Sequence, residues 1–425
     1  MPLPCNQPDL YPIKEDQLPK VIIKAKLPSK KKMEDFQTQS GLQPKNTQAM
    51  VQKFMDQWAQ HGVESWFKWW LDAELKLSKL MAPIIGALPE EITFSSGLTE
   101  NIHKLVATFY HPQGKRNKII TLQNEFSSDL YAIQSQINLK GLDDKECMIS
   151  VAVNQFDSNQ ATQQLIEAIE KHKDELCLVW FSQVNYLTST RIDVEQVTKI
   201  CHKYDIKCLV DLAHAAGSIP LDLHKWNVDG AVMCSYKYLN SGPGCMGGLF
   251  VHKNHSNVIP GLRGWHGNSR QTQFLMRPNY EPEQDARRFQ ISNYDPSQAA
   301  RIESSLTLFQ KAGGMQHIRE RNVKLSNYLI ERLLDMPKLK VISPFNDEER
   351  GSHLSIIIQN TDMKEFSDRL MNQGVLGDLR KFENDVYLMR LSPAGLYITY
   401  EDCDRLLQAL EYGLDNKGSV EKAKL

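Results

Sequence analysis

Two short apolar runs that each lead into one ionisable residue constrain this chain more than any other feature. Lys207 to Leu212 is β-branched and aliphatic and carries Asp211 near its end, and Ala213-His214-Ala215-Ala216-Gly217 closes it as a turn. Ala231 to Cys234 is a second such run. It leads straight into Ser235-Tyr236-Lys237-Tyr238, after which Asn240, Gly242, Pro243 and Gly244 break the chain. A carboxylate at the end of a buried strand needs a partner. A lysine at the mouth of a sheet is costly to desolvate, and burial turns its amine into a useful nucleophile.

Those two groups lie about two dozen residues apart and meet the demands of pyridoxal phosphate: an amine for a Schiff base, and a carboxylate to keep the pyridine nitrogen protonated. Taken singly, Asp211 caps a turn, Lys237 is a surface lysine after a strand, and the glycines form an ordinary loop. The joint pattern is far more specific than either half.

The rest of the chain alternates strands with helices. Lys118 to Leu122, Cys177 to Phe181 and Leu249 to His252 read as strands, and Val194 to Tyr204 as a helix, which predicts a mainly parallel sheet with helices on its faces. Ligands in such sheets sit at the carboxyl ends of the strands, where Phe126, Ser182 and Asp211 fall. Thr93 to Asn101, with Leu98 and Thr99, opens a helix whose free N–H groups and hydroxyls suit an anion. Helices are predicted from Thr47, from about Gln298 to Lys311 and from Met315 to Leu334. Leu339 to Ile342, His353 to Ile358, Met363 to Asn372, Val386 to Leu391 and Glu401 to Leu414 then make a compact α+β set. The expected organisation is an N-terminal arm (1–46), a large α/β domain (47–312) and a smaller C-terminal α+β domain (313–425). Trp66, Phe67, Trp69 and Trp70 crowd together either as packing or as an aromatic pocket. Arg390 ends a strand, either as a surface arginine or as a fork for a carboxylate.

Composition narrows the function classes. Across 425 residues, Lys+Arg 50 against Asp+Glu 51 leaves a net charge of −1, so no global field draws nucleic acid or an anionic membrane. The basic run Lys30-Lys31-Lys32 reads as part of a solvated arm. Eight scattered cysteines with no Cys-x-x-Cys pair suit the reducing cytoplasm. No apolar leader, membrane span, nucleotide-binding loop or convincing metal-ligand spacing is present in the sequence.

Ordered motifs from about Gly41 to Tyr400 sharpen the reading: Gly41-Leu42-Gln43-Pro44-Lys45, Leu98-Thr99, Phe126-x-Ser128-Asp129-x-Tyr131, Asp211-Leu212-Ala213-His214, Ser235-Tyr236-Lys237-Tyr238-Leu239-Asn240, Gly264-Trp265, Arg288-Phe289-x-Ile291-Ser292-Asn293 and Arg390-Leu391-Ser392-Pro393. In these the chain resembles the kynureninase family of fold-type I pyridoxal-phosphate enzymes. The resemblance implies that Lys237 forms the Schiff base, Asp211 pairs with the pyridine nitrogen and Phe126 covers the ring. It places Leu98, Thr99, Ser128 and Tyr236 around the phosphate, with Asp129, Ser182 and His214 in the same shell. Trp265, Ser292 and Asn293 would complete the site, partly from the second subunit of a homodimer, and Arg390 would hold the substrate carboxylate. The implied reaction is hydrolysis of the Cβ–Cγ bond of kynurenine or 3-hydroxykynurenine in tryptophan catabolism, with Lys237 and Tyr236 catalytic. An aminotransferase or desulfurase activity, or a catalytically silent homologue, are the alternatives. The family's usual Gly-Asn-Ser-Leu-Gly-Leu segment is replaced here by Asp35-Phe36-Gln37-Thr38-Gln39-Ser40 ahead of Gly41-Leu42, and Asn293 is followed by Tyr294-Asp295-Pro296.

Overall fold

The computed structural model of the chain describes residues 34–35, 41–359, 361–383 and 386–414. The basic run Lys30 to Lys32 and most of the departing segment, Phe36 to Ser40, lie outside them. A two-residue strand β1 (Glu34–Asp35) is followed by helix α1 (Thr47–His61), one π-helical turn (Trp66–Trp70) and α2 (Ala73–Ile85). Strands and helices then alternate: β2 (Ile92–Phe94), α3 (Leu98–Phe109), β3 (Lys118–Leu122), α4 (Ser127–Leu139), α5 (Asp144–Cys147), β4 (Met148–Val151) and α6 (Ser158–His172). The set closes with β5 (Leu176–Ser182), α7 (Val194–Lys203), β6 (Lys207–Asp211), β7 (Gly230–Met233) and β8 (Gly248–Val251).

These strands form one seven-stranded sheet in the order β2-β8-β7-β6-β5-β3-β4, in which β8 runs antiparallel to both its neighbours and the other pairs are parallel. The central strands read as unbroken apolar runs because helices cover both faces. In β5, Val179 and Phe181 enter the core on one face while Leu178 and Trp180 enter the core on the other, as a two-residue side-chain period requires. Each such fully buried large side chain contributes about 1.5 to 3 kcal/mol. Their common direction brings the carboxyl ends of β3, β5 and β6 to one edge, and the register sets Ser182 beside Asp211.

Helices α8 (Pro296–Lys311) and α9 (Met315–Leu333) lead to the C-terminal part. There β9 (Leu339–Val341), β10 (Leu354–Ile358), α10 (Met363–Asn372), β11 (Val375–Leu376), β12 (Asp378–Glu383), β13 (Val386–Leu391) and α11 (Tyr400–Leu414) follow. A four-stranded antiparallel sheet, β12-β13-β10-β9, packs on a core of its own. Helix α9 belongs to both cores: Met315 and Ile318 pack with the large sheet, Leu325 and Leu329 with the small one. Polar ties fix one part against the other. Gly351 N–H donates to Ser189 O at 2.7 Å, Ser352 Oγ to Ser218 O at 2.7 Å, and the buried Arg319 guanidinium to the Gly351 and Arg350 carbonyls. None of the tryptophan cluster lines the cavity at the strand ends: Trp70 is buried against Phe54 at 4.7 Å, Trp66 meets Tyr294 edge-on at 6.0 Å, and Phe67 and Trp69 stay exposed.

Asp229, one residue ahead of β7, shows how buried charge is satisfied away from that edge. Its carboxylate lies 2.9 Å from His202 Nε2 and 2.7 Å from His255 Nε2, takes the Cys208 N–H at 2.8 Å and faces Lys207 Nζ at 3.4 Å. Burial pushes this acid up, but the two histidine hydrogen bonds, Lys207 and the amide together hold it well below the usual carboxylate range. A depressed carboxylate contributes stability that is present above the unfolded value of about 4 and is lost as pH falls through the folded one. Asp229→Asn is expected to cost about 2 to 3 kcal/mol at neutral pH. In urea melts the gap to the parent should shrink once pH drops below about 4, and a gap independent of pH would refute the assignment.

Candidate active site

The loop after β7 is braced before it presents its lysine. Asn240 N–H bonds to Lys237 O at 3.1 Å and Ser241 N–H to Ser235 O at 3.1 Å, while Ser241 Oγ donates to Ser235 Oγ and Ser235 Oγ to Met246 O, both at 2.6 Å. From the other side Gly41 N–H donates to Tyr236 O at 3.0 Å. A Cβ on Gly41 would fall 1.7 Å from Asn240 Oδ1 and 2.7 Å from Lys237 O, so only glycine allows that approach. The Gly41-Leu42 motif is therefore part of the lysine's support.

Lys237 lines a cavity of about 400 Å³ at the strand ends together with Phe126, Asp211 and His214. Its Nζ lies 3.1 Å from His214 Nε2 and 6.0 Å from the centre of the Phe126 ring. Burial, with the positive charge of Lys237 and the neighbouring His353, keeps His214 neutral far below its ordinary titration range. A neutral ring can accept from the lysine through Nε2. His214 Nδ1 is then left buried with no hydrogen-bond partner.

Under the cavity floor three carboxyls meet. Asp211 ends β6 and accepts the Ala213 N–H at 2.7 Å; burial pushes it up, while Lys237 and that amide pull it back. Asp129, in the first turn of α4, accepts from Trp180 Nε1 at 3.1 Å, and burial together with the charges of Asp211 and Glu125 pushes it far up. Glu125 accepts the Ser182 N–H at 2.6 Å through Oε1 and bonds the Ser182 hydroxyl through Oε2. The anion-binding end is equally well formed. Thr99 Oγ1 and Ser128 Oγ sit 2.6 Å apart where α3 and α4 begin, and Gly97 and Leu98 line the cavity beside them. Two helix N-termini of 12 and 13 residues thus turn free N–H groups and hydroxyls toward one spot.

Of the residues expected from sequence, Leu98, Thr99, Phe126, Ser128, Ser182, Asp211, His214, Tyr236, Lys237 and Arg390 line this cavity, with Asp129 behind Asp211. Trp265, Ser292 and Asn293 do not. Ser292 and Asn293 face a neighbouring cavity of about 690 Å³, and Trp265 packs edge-on against Phe274 at 5.4 Å. Arg390 also differs from a free fork: Nε and Nη2 both bond Asp378, directly opposite in the β12–β13 register, and Nη1 donates to Tyr186 O at 2.8 Å. The small domain adds Arg380 at the cavity wall and the buried His353, 5.4 Å from His214 between ring centres. Glu125, Tyr186, Arg380 and His353 were not singled out from the sequence. A charge just past the end of β3 was the available signal for Glu125, by the logic that found Asp211.

Elsewhere Glu91, His224 and His252 bring three potential metal ligands together. Their atoms are already committed: Glu91 takes the Leu88 and Lys253 amides, and His252 accepts from Asn254 N–H and reaches His224 O at 3.2 Å. The trio is a hydrogen-bond knot under β8.

Pyridoxal phosphate suits the strand-end cavity. Lys237 offers the amine, Asp211 the counter-charge for a pyridinium, Phe126 an aromatic face, and the Thr99–Ser128 pair a phosphate cradle, while the unpartnered His214 Nδ1 marks a donor or acceptor left for a ligand.

Residues 43–377, most of the chain, match the aminotransferase class-V family. Among solved structures, the cystine C–S lyase C-DES in complex with cysteine persulfide superposes with a TM-score of 0.75 over 88% of this chain and 96% of that one, at 19% identity. A cysteine desulfurase from Thermococcus onnurineus gives 0.73 over 88% and 93%, at 18% identity. At such identities the likeness is one of fold. Curated relatives are nearer: kynureninase 2 of Neurospora crassa is 35% identical over 88% of this chain and 84% of its own, and the kynureninase of Flavobacterium johnsoniae is 38% identical over 89% and 90%. The kynureninase of Candida albicans is 36% identical over 88% of each chain. With 35% to 38% identity over most of each chain, the chain belongs to the kynureninase family within the class-V aminotransferase fold.

Proposed function

We propose that this chain hydrolyses the Cβ–Cγ bond of L-kynurenine or 3-hydroxy-L-kynurenine, with water as co-substrate, to L-alanine and anthranilate or 3-hydroxyanthranilate. The observation that carries the reading is the Lys237 amine held between Phe126, Asp211 and His214 in a chain related to kynureninases over most of its length. When bound, pyridoxal phosphate supplies the electron sink that lets the bond to the β-carbon break. The chain's own groups do the rest. Lys237, once its amine is free, takes the substrate's α-proton and returns it, with the neutral His214 as the hydrogen-bond partner of Nζ. Asp211 stays anionic against a protonated ring nitrogen. Tyr236, whose phenol burial pushes well up, remains a donor throughout and serves the oxyanion that forms when water adds to the γ-ketone. Arg390 and Arg380 give the wall that meets the amino-acid carboxylate its positive charge.

Trp265, Ser292 and Asn293 reach a site from a second copy in this reading. Phe67, Phe274 and Trp265 touch one another and are 66%, 52% and 42% exposed, an apolar patch of the kind that marks subunit contacts. The location is the cytoplasm, in keeping with seven described cysteines that are all unpaired. A desulfurase reading needs a reactive thiol; Cys245 borders the cavity, but burial pushes it up and away from a thiolate.

Borohydride treatment of the loaded protein followed by peptide mapping is expected to place one pyridoxyl group on Lys237. Lys104, a fully buried lysine held down to about 8 by burial, is the internal control and should stay unlabelled. With L-kynurenine, fluorescence and chromatography should show anthranilate and alanine in equal amounts, with a loss of at least about 10³-fold in Lys237→Ala and about 10²-fold in Tyr236→Phe. Cofactor uptake without either product, from both substrates, would end the kynureninase reading. Mixing inactive Lys237→Ala with inactive Asn293→Ala should restore about a quarter of the parent activity if sites are shared between copies; no recovery under conditions where the subunits exchange would place Asn293 in the site of its own copy and end the shared-site reading.

A further inference from the structure

Glu125 has no part in the mechanism above, yet it is buried directly behind the cavity wall. It is 6% exposed, and both its oxygens go to one residue: Oε1 takes the Ser182 amide at 2.6 Å and Oε2 the Ser182 hydroxyl. Ser182 borders the cavity and Glu125 does not, so the hydroxyl stands between the carboxyl and whatever is bound. A serine hydroxyl has one proton to give. If Glu125 is ionised, that proton points backward to Oε2 and Ser182 offers the cavity lone pairs alone. If Glu125 is protonated, Oε2–H donates to Ser182 Oγ and the serine proton is free to turn forward.

We infer that Glu125 is a positioning residue that sets, by its own protonation, whether Ser182 donates a hydrogen bond to the cofactor bound at Lys237. The groups that face it favour such an exchange. Asp129 on α4 and Asp211 at the end of β6 are like charges, Tyr186 follows β5, and the ammonium of Lys237 acts on Asp211. Burial raises the Glu125 carboxyl most, the two Ser182 hydrogen bonds lower it, Asp211 raises it again, and the balance stands at about 7. The step conserves atoms: on the alkaline side one proton leaves Glu125 for solvent, and the Ser182 O–H rotates from ligand to carboxylate. Glu125→Gln mimics the neutral acid, since the amide N–H donates to Ser182 Oγ at every pH.

The inference rests on pyridoxal phosphate binding in this cavity. The test is an absorbance titration of the cofactor-stripped protein with pyridoxal phosphate from about pH 6 to about pH 8.5, comparing parent, Glu125→Gln and Ser182→Ala. Repeating it in the Lys237→Ala background removes the titration of the covalent link. Titration of the ligand itself cancels in ratios of dissociation constants at one pH. The parent-to-Glu125→Gln ratio is expected near one on the acid side and to rise by up to about tenfold per pH unit above about 7. The Ser182→Ala-to-parent ratio should run the other way, large in acid and falling toward one in alkali. A Glu125 that merely packs would give ratios independent of pH, and that outcome overturns the inference. Should Glu125→Gln fail to fold, the Ser182→Ala ratio decides alone. Binding to neither parent nor variants would overturn the cofactor reading and this inference together, whereas binding with flat ratios overturns the inference only.

Discussion

A cluster of three buried carboxyls, one of which faces Lys237, is the constraint that the rest of this structure serves. Glu125, Asp129 and Asp211 are each 6% exposed or less, and desolvation of like charges at such a site costs several kcal/mol unless donors and a counter-charge are supplied. The fold supplies them from separate elements: Ser182 from β5, the Trp180 indole from the same strand, the Ala213 amide from the turn after β6, and Lys237 from the loop after β7. Parallel strands make that convergence possible, because their carboxyl ends share one edge. Helix N-termini arrive at the same edge, and so does the only part of the site that needs positive backbone potential.

The same geometry gives the second sheet its part in the proposed site. The large sheet supplies the amine, the carboxyls and the phosphate cradle, but no guanidinium at the cavity wall; Arg380 and Arg390 come from β12 and β13 of the small sheet. Polar ties help to place them. Ser352 and Gly351 bond Ser218 and Ser189 of the large domain, and His353 between Ser352 and β10 lands beside His214. Helix α9 is shared by both cores and so ties the two parts together.

How much of this was legible in the sequence follows from how local each signal is. Asp211 and Lys237 were readable because each ends an apolar run, and a charge in that position has no bland explanation once both are present. The parallel sheet was readable for the same reason: β3, β5 and β6 are apolar on both faces and stand out against the polar helices. Strands β2, β4 and β12 were not read. β2 is three residues long, β4 is a short, partly exposed edge strand, and β12 carries Asp378, Arg380, Lys381 and Glu383. Glu125 was within reach, since it follows β3 as Asp211 ends β6, but it sat inside a polar run and was passed over. His353 left no such trace. Its partner His214 lies more than a hundred residues away, and only the packing of one domain on the other brings the rings together.

Arg390 shows where a correct position and an incomplete environment part company. Its strand end was visible, but what occupies its fork depends on cross-strand register, which sequence does not specify. Asp378 lies opposite Arg390 and bonds Nε and Nη2, with Arg380 Nε at 3.2 Å from its other oxygen. One carboxylate between two guanidinium groups leaves a net positive wall. On the proposed reading, a substrate carboxylate that arrives there would either share the pair with Asp378 or displace it, and displacement would leave Asp378 half-buried without its strongest partner. Sharing would cost less on that reading, because Arg380 would keep Asp378 neutralised while Arg390 turned toward the ligand. The pair would therefore work as a preformed charge reservoir: Asp378 orients both guanidinium groups, and the carboxylate of the proposed substrate would enter against a framework whose side-chain entropy has already been lost.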